Sequence, residues 1–308
     1  EGGNISGGVL GLQALGSPGI IEVAGYAING YSLLIGAIAF ILLYIGNYKV
    51  LEKVFLLLVI LMSLSFVITA ILTGPQLLTV LKGALIPQFP DGSILMIVAL
   101  VGTTVVPYNL FLHASLVNQK WKDTSELSAA KKDTIVAVIL GGLVSMSVII
   151  AAAALSGQEV DGASGLAQSL EPLYGSAARY CIGLGLFAAG ITSAITAPLA
   201  AAYVAQGCLN LGGDLKSRNF RLVWMLVLVL GVGVATFGIK PIEIIQFAQV
   251  ANGILLPVIA GILIWLANRS TLLGSYQNTK LKNVISVCIL IVTLILGARA
   301  ILSVFGLL

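Results

Sequence analysis

Eight apolar runs, each long enough to cross a bilayer, leave this chain few folds to adopt. They fall at 19–45, 51–73, 94–117, 134–155, 177–209, 219–238, 242–267 and 283–305, separated by loops carrying Gly, Pro or Lys. Residues 1–15 read as the second half of a further span, so about nine membrane segments are expected. Inside hydrocarbon every backbone polar group needs a partner within the protein, and a helix supplies one locally. Of the 308 residues 58% are hydrophobic and 9% charged, against about 25% charged in soluble domains. The expected fold is an all-α polytopic membrane protein, residues 1–308 forming a single transmembrane domain with the lipid bilayer as its surroundings. A nucleic-acid partner is not expected, because the net charge of +4 arises from basic residues at span ends. Cys181, Cys208 and Cys288 lie inside apolar runs, which argues against a disulfide framework, and no metal-binding cysteine spacing or cofactor motif occurs. No nucleophile, base and orienting group converge in any segment, so an enzyme is not expected. The 35 glycines suit spans whose backbones approach closely, and nothing specifies an oligomer.

The opening, Glu1-Gly-Gly-Asn-Ile-Ser, has no initiator Met, basic region or cleavage site, and so does not read as a signal peptide. Residues preceding Glu1 are expected in the full protein.

Basic residues set an orientation. Twelve of the 16 Lys and Arg fall in alternate loops: Lys49 and Lys53; Lys120, Lys122, Lys131 and Lys132; Lys216, Arg218 and Arg221; Arg269, Lys280 and Lys282. The opposite side keeps Lys82, Arg179, Lys240 and Arg299, and its loop after Ser156 carries Glu159, Asp161 and Glu171. The basic loops are therefore expected in the cytoplasm, with run 94–117 entering from outside, Leu308 outside, and the plasma membrane as location.

One run is unlike the others. Residues 94–117 hold Thr103, Thr104, Pro107, Asn109 and His113, the only histidine of the chain. Pro107 lacks an amide donor and clashes with the carbonyl four residues earlier, so the helix is expected to break between Thr103 and Val106. Freed backbone groups are tolerated at membrane depth only where protein or a water-filled cavity meets them, and secondary transporters hold ions at such breaks. Carbonyls near Val106 and the Thr103 hydroxyl are candidate ion contacts; equally, Thr103 can bond back within its own helix. Gln249 is flanked three residues away by Gln246 and Asn252, a spacing that lets all three share a helix face. An interhelical hydrogen bond is one use for a polar residue placed there. His113 suits a proton relay, an inner vestibule or a packed hydrogen bond. Asn109 is expected to satisfy the broken backbone. Pro198 and Pro257 read as kinks, and Glu22, Glu52 and Glu243 as solvated or paired groups at span ends.

Tyr48-Lys-Val-Leu-Glu-Lys53, Leu81-Lys-Gly-Ala-Leu-Ile-Pro87, Pro90-Asp-Gly-Ser93, Val106-Pro-Tyr-Asn-Leu-Phe-Leu-His-Ala-Ser115 and Gln249-Val-Ala-Asn-Gly-Ile-Leu-Leu-Pro257 together resemble the NRAMP family of divalent-metal transporters. The resemblance implies a LeuT-type fold of two inverted five-helix repeats with a broken sixth family span. Residues 1–73 would be the remainder of the first repeat (family spans three to five), 94–267 the second repeat (family spans six to ten), and 283–305 an additional C-terminal span. The first two family spans, with their Asp-Pro-Gly-type ligand motif, are absent from this chain.

Against the family's sixth-span pattern Ala-Thr-Val-Met-Pro-His-Asn, this sequence has Thr103 at the Ala position, Val106 at the Met position and Tyr108 at the first His position, while Asn109 and His113 are retained. A thioether favours transition metals over hard cations; valine removes that bias. Asn4 falls where the second acid of a third-span carboxylate pair is expected, and neither Asn4 nor Tyr108 titrates near neutral pH. These departures resemble the NRAMP-related magnesium transporters. They imply a metal ion substrate, Mg²⁺ with Mn²⁺ also carried, contacted by Thr103, Val106 and Gln249. The pathway would be lined by Pro107, Tyr108, Asn109, His113, Asn4 and Asn252. The competing expectations are a proton-coupled Mn²⁺/Fe²⁺ transporter, an amino-acid or organic-cation carrier on the same fold, and a membrane scaffold.

Overall fold

Asparagine 29, followed by an apolar run, marks the first departure from the expected spans. In the computed structural model the Asn29 side chain accepts a hydrogen bond from the Tyr31 amide at 3.0 Å and starts a helix there. The preceding residues form a β-hairpin, β1 (Ile20–Val23) antiparallel to β2 (Tyr26–Asn29), in register Ile20 with Asn29 and Val23 with Tyr26. The expected span 19–45 is thus a hairpin followed by the 16-residue α2 (Gly30–Ile45). The local signals were present: β-branched Ile20, Ile21 and Val23 favour strand, and Gly25 takes φ +81° in the two-residue connection. Gly46, at φ +66°, ends α2 in the left-handed conformation and donates to the Leu42 carbonyl at 3.0 Å.

The structure describes residues 1–16, 18–23, 25–46, 49–86, 88, 90, 92–104, 106–153, 162–209, 216–237 and 239–304. Tyr48, Pro87, Asp91, Glu159 and Asp161 lie outside these, as do the side chains of Glu52, Thr104, Pro107 and Tyr108.

The other helices are α1 (Gly2–Leu15), α3 (Lys49–Leu72), α4 (Leu77–Leu85), α5 (Ile94–Thr104), α6 (Pro107–Lys120), α7 (Leu127–Ala153), α8 (Gly162–Gln168), α9 (Glu171–Tyr174), α10 (Ala178–Cys208), α11 (Arg218–Thr236), α12 (Pro241–Ala267), α13 (Ser270–Leu273) and α14 (Lys280–Val304). Among the described residues six helices are long and apolar enough to span a membrane: α3, α7, α10, α11, α12 and α14. The shorter α1 and α2 and the interrupted α5/α6 pair account for the other expected segments. The chain is an integral membrane protein. α7 begins seven residues before the expected 134, because Asp123 and Glu126 form a capping box ahead of it and the charged turn 131–133 continues the helix.

The described chain divides into two compact units, Glu1–Pro87 with Phe111–Ile245 and Gln88–Leu110 with Gln246–Leu308. The expected repeats follow sequence order, whereas these units follow packing and gather segments distant in sequence. In the first unit α10 is the central element, with Ile182, Ala188, Ile191, Ala194 and Ala200 fully buried, while α7 leaves Ile135, Val138 and Ile139 exposed. α10 receives α1 through glycines. A Cβ on Gly11 would lie 2.6 Å from the Gly183 carbonyl oxygen, and one on Gly190 would overlap Gly8. Such contacts bring backbones together where no hydrophobic gain separates protein from lipid. Around them pack Ile5 and Val9 of α1, Ile35 and Ala39 of α2, and Trp224 and Leu228 of α11. In the second unit, Val98 of α5 packs with Leu296 of α14.

Candidate functional site at the broken helix

α5 ends at Thr104, Val106 is non-helical, and Pro107 opens α6. The interruption falls where the sequence places it. At the first position of a helix the missing proline donor costs nothing, because amides there have no intrahelical acceptor. The Asn109 amide closes the new turn onto the Val106 carbonyl at 3.0 Å. Helix ends of this kind leave last-turn carbonyls of α5 and first-turn amides of α6 without helical partners. The Asn109 side chain is exposed and Val106 half-buried.

Thr103 is exposed, and its hydroxyl donates to the Leu100 carbonyl at 2.6 Å, the within-helix arrangement. That bond uses its only proton and leaves oxygen lone pairs able to face a cation. Its neighbour Gly102 is buried against α12. A Cβ there would overlap the Gln249 carbonyl oxygen and lie 2.7 Å from the Gly253 amide nitrogen. Gly253 in turn has Val98 so near that its own Cβ would sit 2.6 Å from the Val98 carbonyl oxygen. The break in α5/α6 is thereby held beside the turn of α12 that carries Gln249 and Asn252. These two share a face, Asn252 Nδ2 donating to Gln249 Oε1 at 3.1 Å, while Gln246 is exposed. Residues 92–110 and 246–308 contain no Asp or Glu, so the described residues of this unit offer neutral oxygen around the break. Among the described residues no cluster of three or more His, Cys, Asp or Glu side chains could hold a metal.

Asn4 and His113 belong to the first unit. Asn4 Nδ2 lies 3.3 Å from the Ser193 carbonyl and 3.4 Å from a Glu1 carboxylate oxygen, linking α1 to α10. His113 Nε2 lies 3.3 Å from the Thr134 hydroxyl on α7, whose oxygen also lies 3.0 Å from the Ala130 carbonyl. The Thr134 hydroxyl thus bridges the Ala130 carbonyl of its own helix and the His113 ring of α6. His113 also lines a cavity of about 400 Å³ with Lys120, Trp121 and Asp133. Lys120 and Asp133 pair there at 3.6 Å, both more than half exposed.

Sequence reasoning missed Gly102, Gly253, Ser193 and Thr134. The two glycines carried a signal, since each adjoins a polar candidate, Thr103 or Asn252. The other two act through a backbone carbonyl and a hydroxyl supplied by a distant helix, which no local pattern announces.

The profile of the family described as natural resistance-associated macrophage protein-like, Nramp, matches residues 1–303. Among similar proteins, the divalent metal cation transporter MntH of Klebsiella pneumoniae (strain 342) is 30% identical over 271 residues, covering 84% of this chain and 63% of its own length. MntH of Caldanaerobacter subterraneus subsp. tengcongensis is 26% identical over 278 residues, covering 86% and 65%. MntH of Yersinia pestis (strain Pestoides F) is 27% identical over 307 residues, covering 92% and 73%. The chain thus spans about two thirds of the length of the relatives it matches. Helical throughout its membrane segments, interrupted at Val106 and matched over nearly its whole length, the chain belongs to the Nramp family and has that family's LeuT-type fold.

Proposed function

We propose that this chain is part of a transporter that moves a divalent metal ion across the plasma membrane by alternating access. The preferred substrate is Mg²⁺, with Mn²⁺ also carried and without strong proton coupling. The observation that carries the reading is the interruption at Val106: a helix opened within an apolar run, bordered by oxygen groups, with valine where a thioether would select softer metals. Thr103, the Val106 carbonyl and Gln249 are the proposed contacts, direct or through water. Pro107, Tyr108, Asn109, His113, Asn4 and Asn252 shape the break and the pathway. No carboxylate comes from 92–110 or 246–308, and a bare dication without counter-charge is very unfavourable at low dielectric. That favours an ion that dehydrates reluctantly and keeps several waters, as Mg²⁺ does.

Residues 1–73 and 94–267 are proposed as the two inverted repeats, with 283–305 appended. The basic loops face the cytoplasm and the C-terminal end of α14 faces outward. Proteoliposomes of the full-length protein test the substrate. Mg²⁺ and Mn²⁺ influx without internal acidification is expected; robust Fe²⁺ or Cd²⁺ flux with no Mg²⁺ flux would overturn the reading.

A second reading, proton-coupled Mn²⁺ or Fe²⁺ transport, is favoured by the Glu1 carboxylate beside Asn4 and by His113 bonded to Thr134. Acidification of the vesicle interior in step with metal entry would select it. Inhibition of metal flux by amino acids would point instead to an organic-substrate carrier on the same fold.

A further inference from the structure

A second cavity in the first unit has a volume of about 320 Å³. It is lined by Tyr44 at the end of α2, Thr196 and Tyr203 of α10, Lys216, and Arg221 and Trp224 of α11. Leu112 and Leu116 of α6 close it. Lys216 and Arg221 are its only charged lining residues among those described, and neither has a carboxylate partner among them. Arg221 stacks its guanidinium over the Tyr44 ring at 4.5 Å. Stacking occupies the face of that plane and leaves the N–H donors at its edge free to fork onto an anion. Beside the cavity the apolar surface of α2 continues outward through Phe40, Ile41 and Ile45, each more than a third exposed. Cations and aromatics at a span end, backed by an exposed apolar helix face, match the composition of a lipid interface.

We propose that this cavity binds the phosphate headgroup of an anionic phospholipid of the cytoplasmic leaflet. Arg221 and Lys216 hold the phosphate, Tyr44 and Tyr203 border the glycerol region, and the acyl chains run along α2. The leaflet follows from the cytoplasmic side proposed for the basic cluster Lys216, Arg218 and Arg221, at the start of α11. Through Leu112 and Leu116 the lipid would touch the helix that starts at the break, while its binding does not depend on which ion is carried.

The test is lipid binding by the purified full-length protein, read by native mass spectrometry and by the thermal unfolding midpoint. The probes are phosphatidylglycerol, phosphatidylcholine, glycerol phosphate and inorganic phosphate. Phosphatidylglycerol should be retained and raise the midpoint, and phosphatidylcholine should not. Each juxtamembrane basic residue strengthens binding by about fivefold. Lys216→Gln and Arg221→Gln should therefore each weaken retention about fivefold and the double variant about 25-fold, whereas Lys282→Gln should leave it unchanged. Arg221→Lys, which keeps the charge but not the fork, should fall between. Should Arg221→Gln fail to fold, as judged by its midpoint in phosphatidylcholine, the exposed Lys216 carries the comparison alone. The proposal is overturned by equal binding of the two lipids, by the soluble phosphates binding in place of the lipid, or by undiminished retention in Lys216→Gln.

Discussion

Replacing Gly102 by alanine puts a methyl group where α5 meets α12. Its carbon would lie 2.7 Å from the Gly253 amide nitrogen, 3.1 Å from the Gln249 carbonyl carbon, and nearer still to the Gln249 carbonyl oxygen. Comfortable carbon contacts lie at about 3.5–4.0 Å, so the two helices must separate locally by roughly 1 Å. All three obstructing atoms are backbone, and no side-chain rotation relieves them. Overpacking of this kind costs roughly 1–3 kcal/mol, while alanine regains about 0.8–1 kcal/mol of helix propensity over glycine. The expected net effect is a loss of up to about 2 kcal/mol, with the Gln249 turn displaced from Thr103. Gly141 in α7 is the control, because nothing lies within 4 Å of its would-be Cβ; there alanine should be neutral or stabilise by up to about 1 kcal/mol. Unfolding midpoints in micelles, compared across wild type, Gly102→Ala and Gly141→Ala, read the difference, and metal flux reads its consequence at the site. A Gly102→Ala protein as stable as Gly141→Ala would refute the close approach of α5 to α12.

The same logic separates two glycines of α1. Gly11→Ala meets Phe187 and Gly183 backbone and should destabilise by roughly 1–3 kcal/mol, while Gly7→Ala, with open space around it, should not; their melting curves should diverge. Val106→Met should raise Cd²⁺ and Fe²⁺ flux relative to Mg²⁺ in proteoliposomes, because it restores a soft ligand at the break; an unchanged ratio would remove Val106 from the selectivity argument. Buried Ser32 and Thr236 share a 2.8 Å hydrogen bond, each also within 2.6 Å of a backbone carbonyl, of Asn29 and Val232 respectively. Three contacts compete for two protons. Thr236→Val should therefore cost about 0.5–1.5 kcal/mol rather than the sum of two lost bonds, measurable as a shift in the midpoint of unfolding.

Hydropathy alone located α3, α10, α11, α12 and α14 to within a few residues, since a bilayer demands an apolar length and the polar loops stop it. The break at Val106 was also legible, because Pro107 came with Thr103, Thr104 and Asn109 instead of standing among apolar neighbours. The hairpin at 20–29 was not, for its residues are as apolar as a span and the window that detects spans is longer than a strand. Of the candidate site, the polar identities were readable, while the bond from His113 to Thr134 and that from Asn4 to Ser193 were not.

The amino-acid order by itself determined that this is a helical membrane protein, the bounds of most of its long helices, and which apolar run is interrupted. Pro198 and Pro257 nonetheless sit inside continuous helices while Pro107 begins one, and which helices pair is likewise a tertiary outcome. In lipid every apolar face is equally content, so pairing rests on shape: on Gly11 fitting Gly183, and Gly102 fitting Gly253. Shape between distant segments exists only once the chain has folded.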